Sequence, residues 1–199
     1  MGDIYRQGYF EFKENDEGYT LTAYRTKNDF AVTEIEIPDV CNQKPVTEIG
    51  NCAFLEANFI KRVIIPESIK QIGFEAFSGC ESMEHINLPS GLTVILDESF
   101  SGCKSLMSIE IPEGVTEIGE YAFNSCYMLE SVKLPQSLKI IGSRVFSNDK
   151  ELREIELPDG LTELESGVFA NSEKVSVIFK GKTYTQENIE ELYNLFMAK

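Results

Sequence analysis

The side chains of this chain that could support catalysis are few, and its one histidine is the first candidate. His85 lies in residues 84–88, where apolar and polar residues alternate as they do in an exposed strand. A Ser-His-Asp or Cys-His catalyst would need partners in a recognisable pattern, and G-x-S-x-G, the phosphate-binding glycine motifs and H-E-x-x-H are all absent from the sequence. Carboxylates are plentiful but occupy repeat-surface positions. We therefore expect no enzyme activity, no catalytic residue and no cofactor.

Thiol chemistry is the second possibility, because the chain has five cysteines: Cys41, Cys52, Cys80, Cys103 and Cys126. Zinc sites use close pairs such as C-x-x-C, and the sequence contains none. The last three cysteines are 23 residues apart and share a position with Ala57, Asp149 and Ser172. A disulfide between neighbouring units stays open sterically, although a column of three would leave one thiol over. We expect small, buried, reduced thiols without a metal.

Composition excludes several classes of partner. The chain of 199 residues carries 18 basic and 33 acidic side chains, which gives a net charge of -15. Nucleic acid and anionic lipid need a basic face, so neither is an expected partner. The acidic residues form no D-x-D-x-D-G calcium loop. No apolar run approaches the 18 residues of a membrane-spanning helix, so we expect no membrane insertion.

A period of 23 residues governs most of the chain. Four columns share this period: Pro66, Pro89, Pro112, Pro135 and Pro158; Phe54, Phe77, Phe100, Phe123, Phe146 and Phe169; Ile49, Ile72, Ile95, Ile118, Ile141 and Leu164; and Val63, Ile86, Ile109, Val132, Ile155 and Ile178. They indicate six units, which begin at Val46, Ile69, Leu92, Val115, Leu138 and Leu161. One unit cannot bury its own apolar side, so the units must stack as a solenoid with the phenylalanines in one internal column.

Each unit carries signals for two strands and a turn. Val132, Lys133 and Leu134 alternate in polarity until Pro135 ends the strand, and residues 115–118 form a second short strand. A glycine such as Gly119 then marks a bend, which Leu96 and Glu165 replace in two units. The Ala-Phe pair that follows suggests a short helical turn. Residues that tolerate a left-handed backbone end it: Gly79, Gly102, Asn148 and Asn171.

The repeated unit, L-x-x-I-x-I/L-P-x-G-V/L-T-x-I-G-x-x-A-F-x-x-C, resembles the BspA-like leucine-rich repeat family over residues 46–183, with a partial unit at 31–38. The resemblance implies a right-handed leucine-rich-repeat solenoid, with two short parallel strands and a short helical turn per coil. It also implies a bacterial cell-surface or secreted protein that binds host extracellular proteins. The first six residues lack a basic region followed by an apolar stretch, so a cytoplasmic location stays open.

The two ends of the array have the character of caps. Residues 9–12 and 19–24 alternate in polarity and predict a β-hairpin, so we assign 1–45 to an N-terminal cap. The repeats occupy 46–183, and 184–199 form a C-terminal capping helix that begins at Thr185, with Glu187 in its first turn. Its apolar face is predicted to hold Ile189, Leu192, Leu195 and Phe196. All three parts belong to one structural domain of undetermined oligomeric state.

The outward positions of the first strand are the candidate binding surface. One column holds Ile64, Asn87, Glu110, Lys133 and Glu156, and its neighbour holds Arg62, His85, Ser108, Ser131 and Glu154. These residues vary, whereas the inward columns repeat, and a wide sheet suits a protein partner better than a small substrate. The candidate partner-binding residues are His85, Asn87, Ser108, Glu110 and Lys133. Plain solvated positions, and a spacer rod without a ligand, are the alternatives.

Overall fold

The strands stack as coils of a β-solenoid, because each coil exposes apolar residues that only another coil can cover. The computed structural model describes residues 4–25 and 32–197; the start of the predicted partial unit and the last two residues of the predicted helix lie outside this range. The N-terminal strands are β1 (Ile4–Gln7), β2 (Phe10–Glu14), β3 (Tyr19–Tyr24), β4 (Glu34–Glu36), β5 (Val40–Cys41) and β6 (Lys44–Ile49).

The strands of the repeats alternate between two faces of the solenoid. They are β7 (Arg62–Ile64), β8 (Gln71–Ile72), β9 (His85–Ile86), β10 (Val94–Ile95), β11 (Ser108–Glu110), β12 (Glu117–Ile118), β13 (Ser131–Lys133), β14 (Ile140–Ile141), β15 (Glu154–Glu156), β16 (Glu163–Leu164), β17 (Ser176–Phe179) and β18 (Lys182–Tyr184). The first face pairs β4-β7-β9 and β11-β13-β15-β17-β18, and the second pairs β6-β8 and β10-β12-β14-β16. Seven coils thus contribute to the first face. In the described part of the chain no helix is long and apolar enough to cross a membrane.

The phenylalanine column is the centre of the core, as the period predicts. All six rings are at most 1% exposed. Successive rings are stacked, with centroids 4.8–6.1 Å apart and planes within 14° of parallel. These distances begin at the spacing of paired strands, about 4.8 Å, and lie within the range of stacked aromatic pairs, about 4.5–7 Å.

The predicted helical turn of each coil is wrong. Two residues of the turn, four positions apart, have a left-handed backbone in every coil: Cys52 and Glu56, Glu75 and Gly79, Glu98 and Gly102, Tyr121 and Ser125, Arg144 and Asn148, and Gly167 and Asn171. A right-handed helix cannot include such residues. Alternate N–H groups instead donate to the next coil, as Phe77 does to Ser99 O at 2.8 Å. We call this third row of hydrogen bonds between coils the turn ladder.

Both strand faces are interrupted between the coil of residues 69–91 and the coil of residues 92–114. At this junction β8 does not pair with β10, and β9 does not pair with β11. Gly73 and Gly119 each donate to an isoleucine carbonyl of the preceding coil at 2.8 Å, but Leu96 makes no such bond among the described residues. A Cβ at Gly73 would lie 2.6 Å from Asn51 N. Glu165, the other residue that replaces the glycine, keeps its bond to Ile141 O at 3.0 Å.

The last coil is one residue shorter than the period predicts. Ile155 pairs with Val177, a separation of 22 residues, and Val177 is 0% exposed. The expected inward residue, Ile178, is half-buried and lies opposite Glu156 on the outward side. The chain then turns back at Lys180 and Gly181, both left-handed, into β18, an antiparallel strand that was not predicted.

The N-terminal segment forms a meander that stands in for a coil. The predicted hairpin is β2 and β3, and β1 adds a third antiparallel strand. Strand β3 then runs parallel to β6, so the meander continues into the second face. The extra residues after the partial unit form a tight hairpin between β5 and β6, in which Asn42 and Gln43 are both left-handed.

The C-terminal helix α1 (Ile189–Met197) begins later than predicted; Ile189 and Leu192 are buried and Phe196 is half-buried, as predicted. Thr185 precedes it and donates its N–H to Asn188 Oδ1 at 2.8 Å, and Leu195 is 50% exposed. Tyr193 is buried instead, because positions 189, 193 and 196 follow the helical period. Its hydroxyl accepts from Phe169 N at 3.1 Å, a bond that a further coil would otherwise make.

Candidate functional site

The strand face, formed by the outward side chains of β7, β9, β11, β13 and β15 and by Asn87, which directly follows β9, holds all five candidate residues. Inward residues such as Val63 and Ile109 are at most 4% exposed, while the residues on either side of them are exposed. Parallel register places Arg62 beside His85 and Glu110 beside Lys133. The interruption between β9 and β11 divides the candidates into two groups.

The first group surrounds a shallow hollow of about 240 Å³, lined by Arg62, Ile64, His85 and Asn87 at its rim and by two strand residues at its base. Ile64 is 42% exposed and supplies an apolar wall. A cation, an imidazole and an aliphatic side chain thus meet at one place. The hollow is smaller than the sites that enclose small ligands, about 300–1,000 Å³, and suits one side chain of a protein partner.

Asn87 has a structural role that the sequence did not reveal. Its amide nitrogen donates to Ile65 O at 2.9 Å, and its Oδ1 accepts from Ile65 N at 3.0 Å. The side chain therefore occupies the place of a peptide group at the edge of the preceding coil. Both atoms of this amide already form hydrogen bonds within the protein, which leaves less hydrogen-bonding capacity for a partner.

The second group comprises Ser108, Glu110 and Lys133. Lys133 Nζ lies 2.5 Å from Glu110 Oε1, with the two side chains 74% and 67% exposed. The hydrogen bond that Lys133 donates to this carboxylate raises the pKa of Lys133 above its ordinary value. Because both groups are solvated, the pair contributes little to stability and its charges stay accessible to a partner.

Three cysteines line the core beside the phenylalanine column. The Sγ atoms of Cys80, Cys103 and Cys126 each lie 3.2–3.3 Å from a carbonyl oxygen of a phenylalanine in the preceding coil and donate to it. Burial raises the pKa of Cys80 to about 12 and that of the other two well above the ordinary thiol range. Such thiols are poor nucleophiles. Among the described residues no group of three histidine, cysteine or acidic side chains is placed to hold a metal.

Asp149 occupies the same column, and its environment was not foreseen. It is 0% exposed; its Oδ1 accepts from Cys126 N at 2.9 Å, and its N–H donates to Ser172 Oγ at 2.9 Å. Its Oδ2 is buried with no hydrogen-bond partner in the described structure. Burial raises the pKa of Asp149 well above its ordinary range. The only signal in the sequence is that an acid stands where the other units have small residues.

Solved structures with the same architecture come from several bacteria. A leucine-rich repeat protein of T. pallidum matches with 31% identity and a TM-score of 0.82, over 90% of this chain and 83% of that one. A leucine-rich cell surface protein of Faecalibacterium prausnitzii matches with 25% identity and a TM-score of 0.69, over 93% and 56%. The pneumococcal vaccine antigen PcpA, at 23% identity and a TM-score of 0.76, shares the fold, and this chain spans 54% of its length.

No curated protein sequence matches the chain. The model of the BspA type leucine-rich repeat region matches it in six copies, over residues 24–132 and 47–176. That range contains the phenylalanine column and the whole strand face. The chain therefore belongs to the BspA-type leucine-rich repeat family.

Proposed function

We propose that this chain is a non-catalytic protein-binding or adhesion module of a bacterial cell surface, and that it binds through the strand face. The observation that supports this proposal is that residue types repeat on the inward side of the strands and vary on the outward side. Inward positions repeat the same residue types because stacking demands them. Outward positions hold Arg62, His85 and Ser108 in successive coils, and nothing in the packing requires that variation.

The shape and chemistry of the face favour a protein as the partner. The exposed Ile64, next to Arg62 and His85, gives an apolar contact bordered by polar groups. Further along, the Glu110–Lys133 pair offers both charges. Interfaces place a few anchoring side chains at their centre and solvated polar groups around them. A host extracellular protein is the proposed class of partner, in keeping with the family.

A cell-surface location is part of the proposal. It is supported by the family and by the F. prausnitzii protein, which is named as a cell surface protein. A spacer rod is the alternative, and a chain that binds no member of a broad panel of extracellular proteins would favour it.

The test is a charge-reversal cycle on Glu110 and Lys133, with binding measured against an immobilised panel of extracellular host proteins. Glu110→Lys and Lys133→Glu are made singly and together, so that the double variant restores the pair with its direction reversed. If a partner contacts these charges, binding is impaired in all three variants, the double variant included, while thermal stability stays close to that of wild type. The matched control reverses Glu151 and Lys174, an ion pair of 2.6 Å between neighbouring coils and outside the strand face.

Two outcomes contradict the proposal. A partner that binds all three variants as well as wild type does not use this part of the strand face. A partner whose binding falls equally with the control reversals responds to the charge of the whole molecule. In either case the N-terminal meander and the remaining sides of the coils become the surfaces to map.

A further inference from the structure

The N-terminal meander holds a buried carboxylate with two arginines. Glu11 is 5% exposed, and a buried carboxylate needs paired charge. Its Oε1 accepts from Arg6 Nε at 2.8 Å and lies 3.0 Å from Arg25 Nε. The hydrogen bond from Arg6, assisted by that from Arg25, holds the pKa of Glu11 below its ordinary value despite the burial.

The two arginines exceed what Glu11 requires. One guanidinium would neutralise the carboxylate. The second therefore gives this cluster a local charge of one positive unit, although the net charge of the whole chain is -15. The other ion pairs of the described residues each join one lysine to one glutamate. Both arginines contact Glu11 through Nε, and their side chains are 73% and 66% exposed, so the outer N–H groups of each guanidinium face solvent.

An aromatic wall stands beside these two charges. Tyr9 and Phe10, together with both arginines, Gly8 and Glu11, line a hollow of about 430 Å³. Tyr24 packs against both rings, at centroid distances of 6.2 Å from Tyr9 and 5.7 Å from Phe10, and so holds the wall in place. This volume falls within the range of small-ligand sites, about 300–1,000 Å³.

We propose that this arginine hollow binds an oxyanion attached to a ring. The carboxylate, sulfate or phosphate oxygens accept hydrogen bonds from the outer N–H groups of Arg6 and Arg25, whose planar forks match that geometry. The ring packs on Tyr9 and Phe10. Glu11 is a positioning residue, because it aims both guanidiniums and does not itself contact the ligand. The site is separate from the strand face and does not depend on its function.

The test is a titration of the full chain with phenyl phosphate, benzoate, inorganic phosphate and benzyl alcohol, followed by calorimetry and by the NMR signals of the arginine side chains. Phenyl phosphate and benzoate present a phosphate and a carboxylate on a ring, inorganic phosphate presents the oxyanion alone, and benzyl alcohol presents the ring alone. We expect phenyl phosphate or benzoate to bind at least about tenfold more tightly than inorganic phosphate or benzyl alcohol. Equal binding of inorganic phosphate would overturn the ring contact, and no binding of either aromatic anion at about 10 mM would overturn the site.

Variants separate the hollow from general electrostatics. Arg6→Gln and Arg25→Gln should each weaken binding of the aromatic anions about tenfold or more. Arg62→Gln removes the same charge from the strand face and should leave binding unchanged. Equal weakening by Arg62→Gln would show a nonspecific charge effect and refute the site. If an arginine variant fails to fold, Tyr9→Ala, which keeps both charges, should weaken phenyl phosphate more than inorganic phosphate, and equal effects would refute the proposed wall.

Discussion

Replacing Asp149 with asparagine should stabilise the protein at neutral and alkaline pH. In this column each cysteine, and Ser172, donates to the carbonyl of a phenylalanine 26 residues earlier, which makes the Phe123 carbonyl the acceptor assigned to Asp149. An ionised carboxylate has no proton to donate, and Oδ2 has no partner among the described residues. Asparagine keeps the shape, accepts from Cys126 N with its oxygen and donates with its nitrogen at every pH.

The direction in which stability changes with pH follows from the raised pKa of Asp149 in the folded protein. The unfolded chain loses this proton near pH 3.8, whereas the folded chain retains it to higher pH. The contribution of the protonated group is therefore complete below pH 3.8 and declines as the pH rises toward the folded pKa. Its hydrogen-bond partners are the backbone N–H of Cys126 and the hydroxyl of Ser172, and neither carries a charge that could compensate.

The expected gain in the free energy of unfolding is the cost of one buried polar group without a hydrogen bond, about 1–3 kcal/mol. For a chain of this length it corresponds to a rise in Tm of about 2–12 °C for Asp149→Asn at pH 8. Thermal and urea unfolding from pH 4 to pH 9 measure it, and the difference between variant and wild type removes the effect of the other acidic groups. Asp149→Ser is a matched control, since the next coil holds Ser172 in this place. The reasoning is refuted if wild type and Asp149→Asn keep a constant difference across this range.

Three further predictions concern the core and the strand face. Phe123→Ala should lower the free energy of unfolding by about 3–5 kcal/mol, because the stacked neighbours hold the cavity open; a loss below about 1 kcal/mol in urea unfolding would show that the coils collapse around it. Thiol titration of the native protein should detect Cys52 alone, and titration in denaturant without reductant should detect all five thiols; a buried thiol that reacts at the rate of Cys52 would contradict the packing. Asn87→Ala should lower the free energy of unfolding by about 1–3 kcal/mol, because the backbone N–H and C=O of Ile65 lose their hydrogen-bond partner. His85→Ala should change it by no more than about 0.5 kcal/mol. Equal effects of the two substitutions in urea unfolding would contradict the structural role of Asn87.

The period of 23 residues was sufficient to predict the phenylalanine column, since identical side chains in stacked coils must superpose. It was insufficient at the ends. Val177 rather than Ile178 points inward because one residue is missing from the last coil, and both residues are aliphatic. A pattern of residue types cannot detect a deletion that leaves the pattern intact.

The arginine hollow and the left-handed turns lay beyond the reach of sequence reasoning for different reasons. Arg6 and Arg25 converge on Glu11 only through the register of three strands, which no local pattern encodes. The turn positions hold residues as different as Tyr121 and Arg144, because hydrogen bonds to neighbouring coils offset the cost of the left-handed backbone. Glycine marks the position in only some coils, so a helix was the simpler prediction.

The interruption beside Leu96 bears on how this rod carries a load. Hydrogen bonds between coils run along its long axis, so a pull on its two ends loads every junction in series. At the junction between residues 69–91 and 92–114 both strand ladders are missing, so the tension falls on the turn ladder, with bonds such as that from Phe77 to Ser99, on isolated contacts such as Ser105 N to Glu81 O at 3.1 Å, and on the stacked core. Under axial force the rod should part there first. Its strength is set by that one junction and not by the average of its coils.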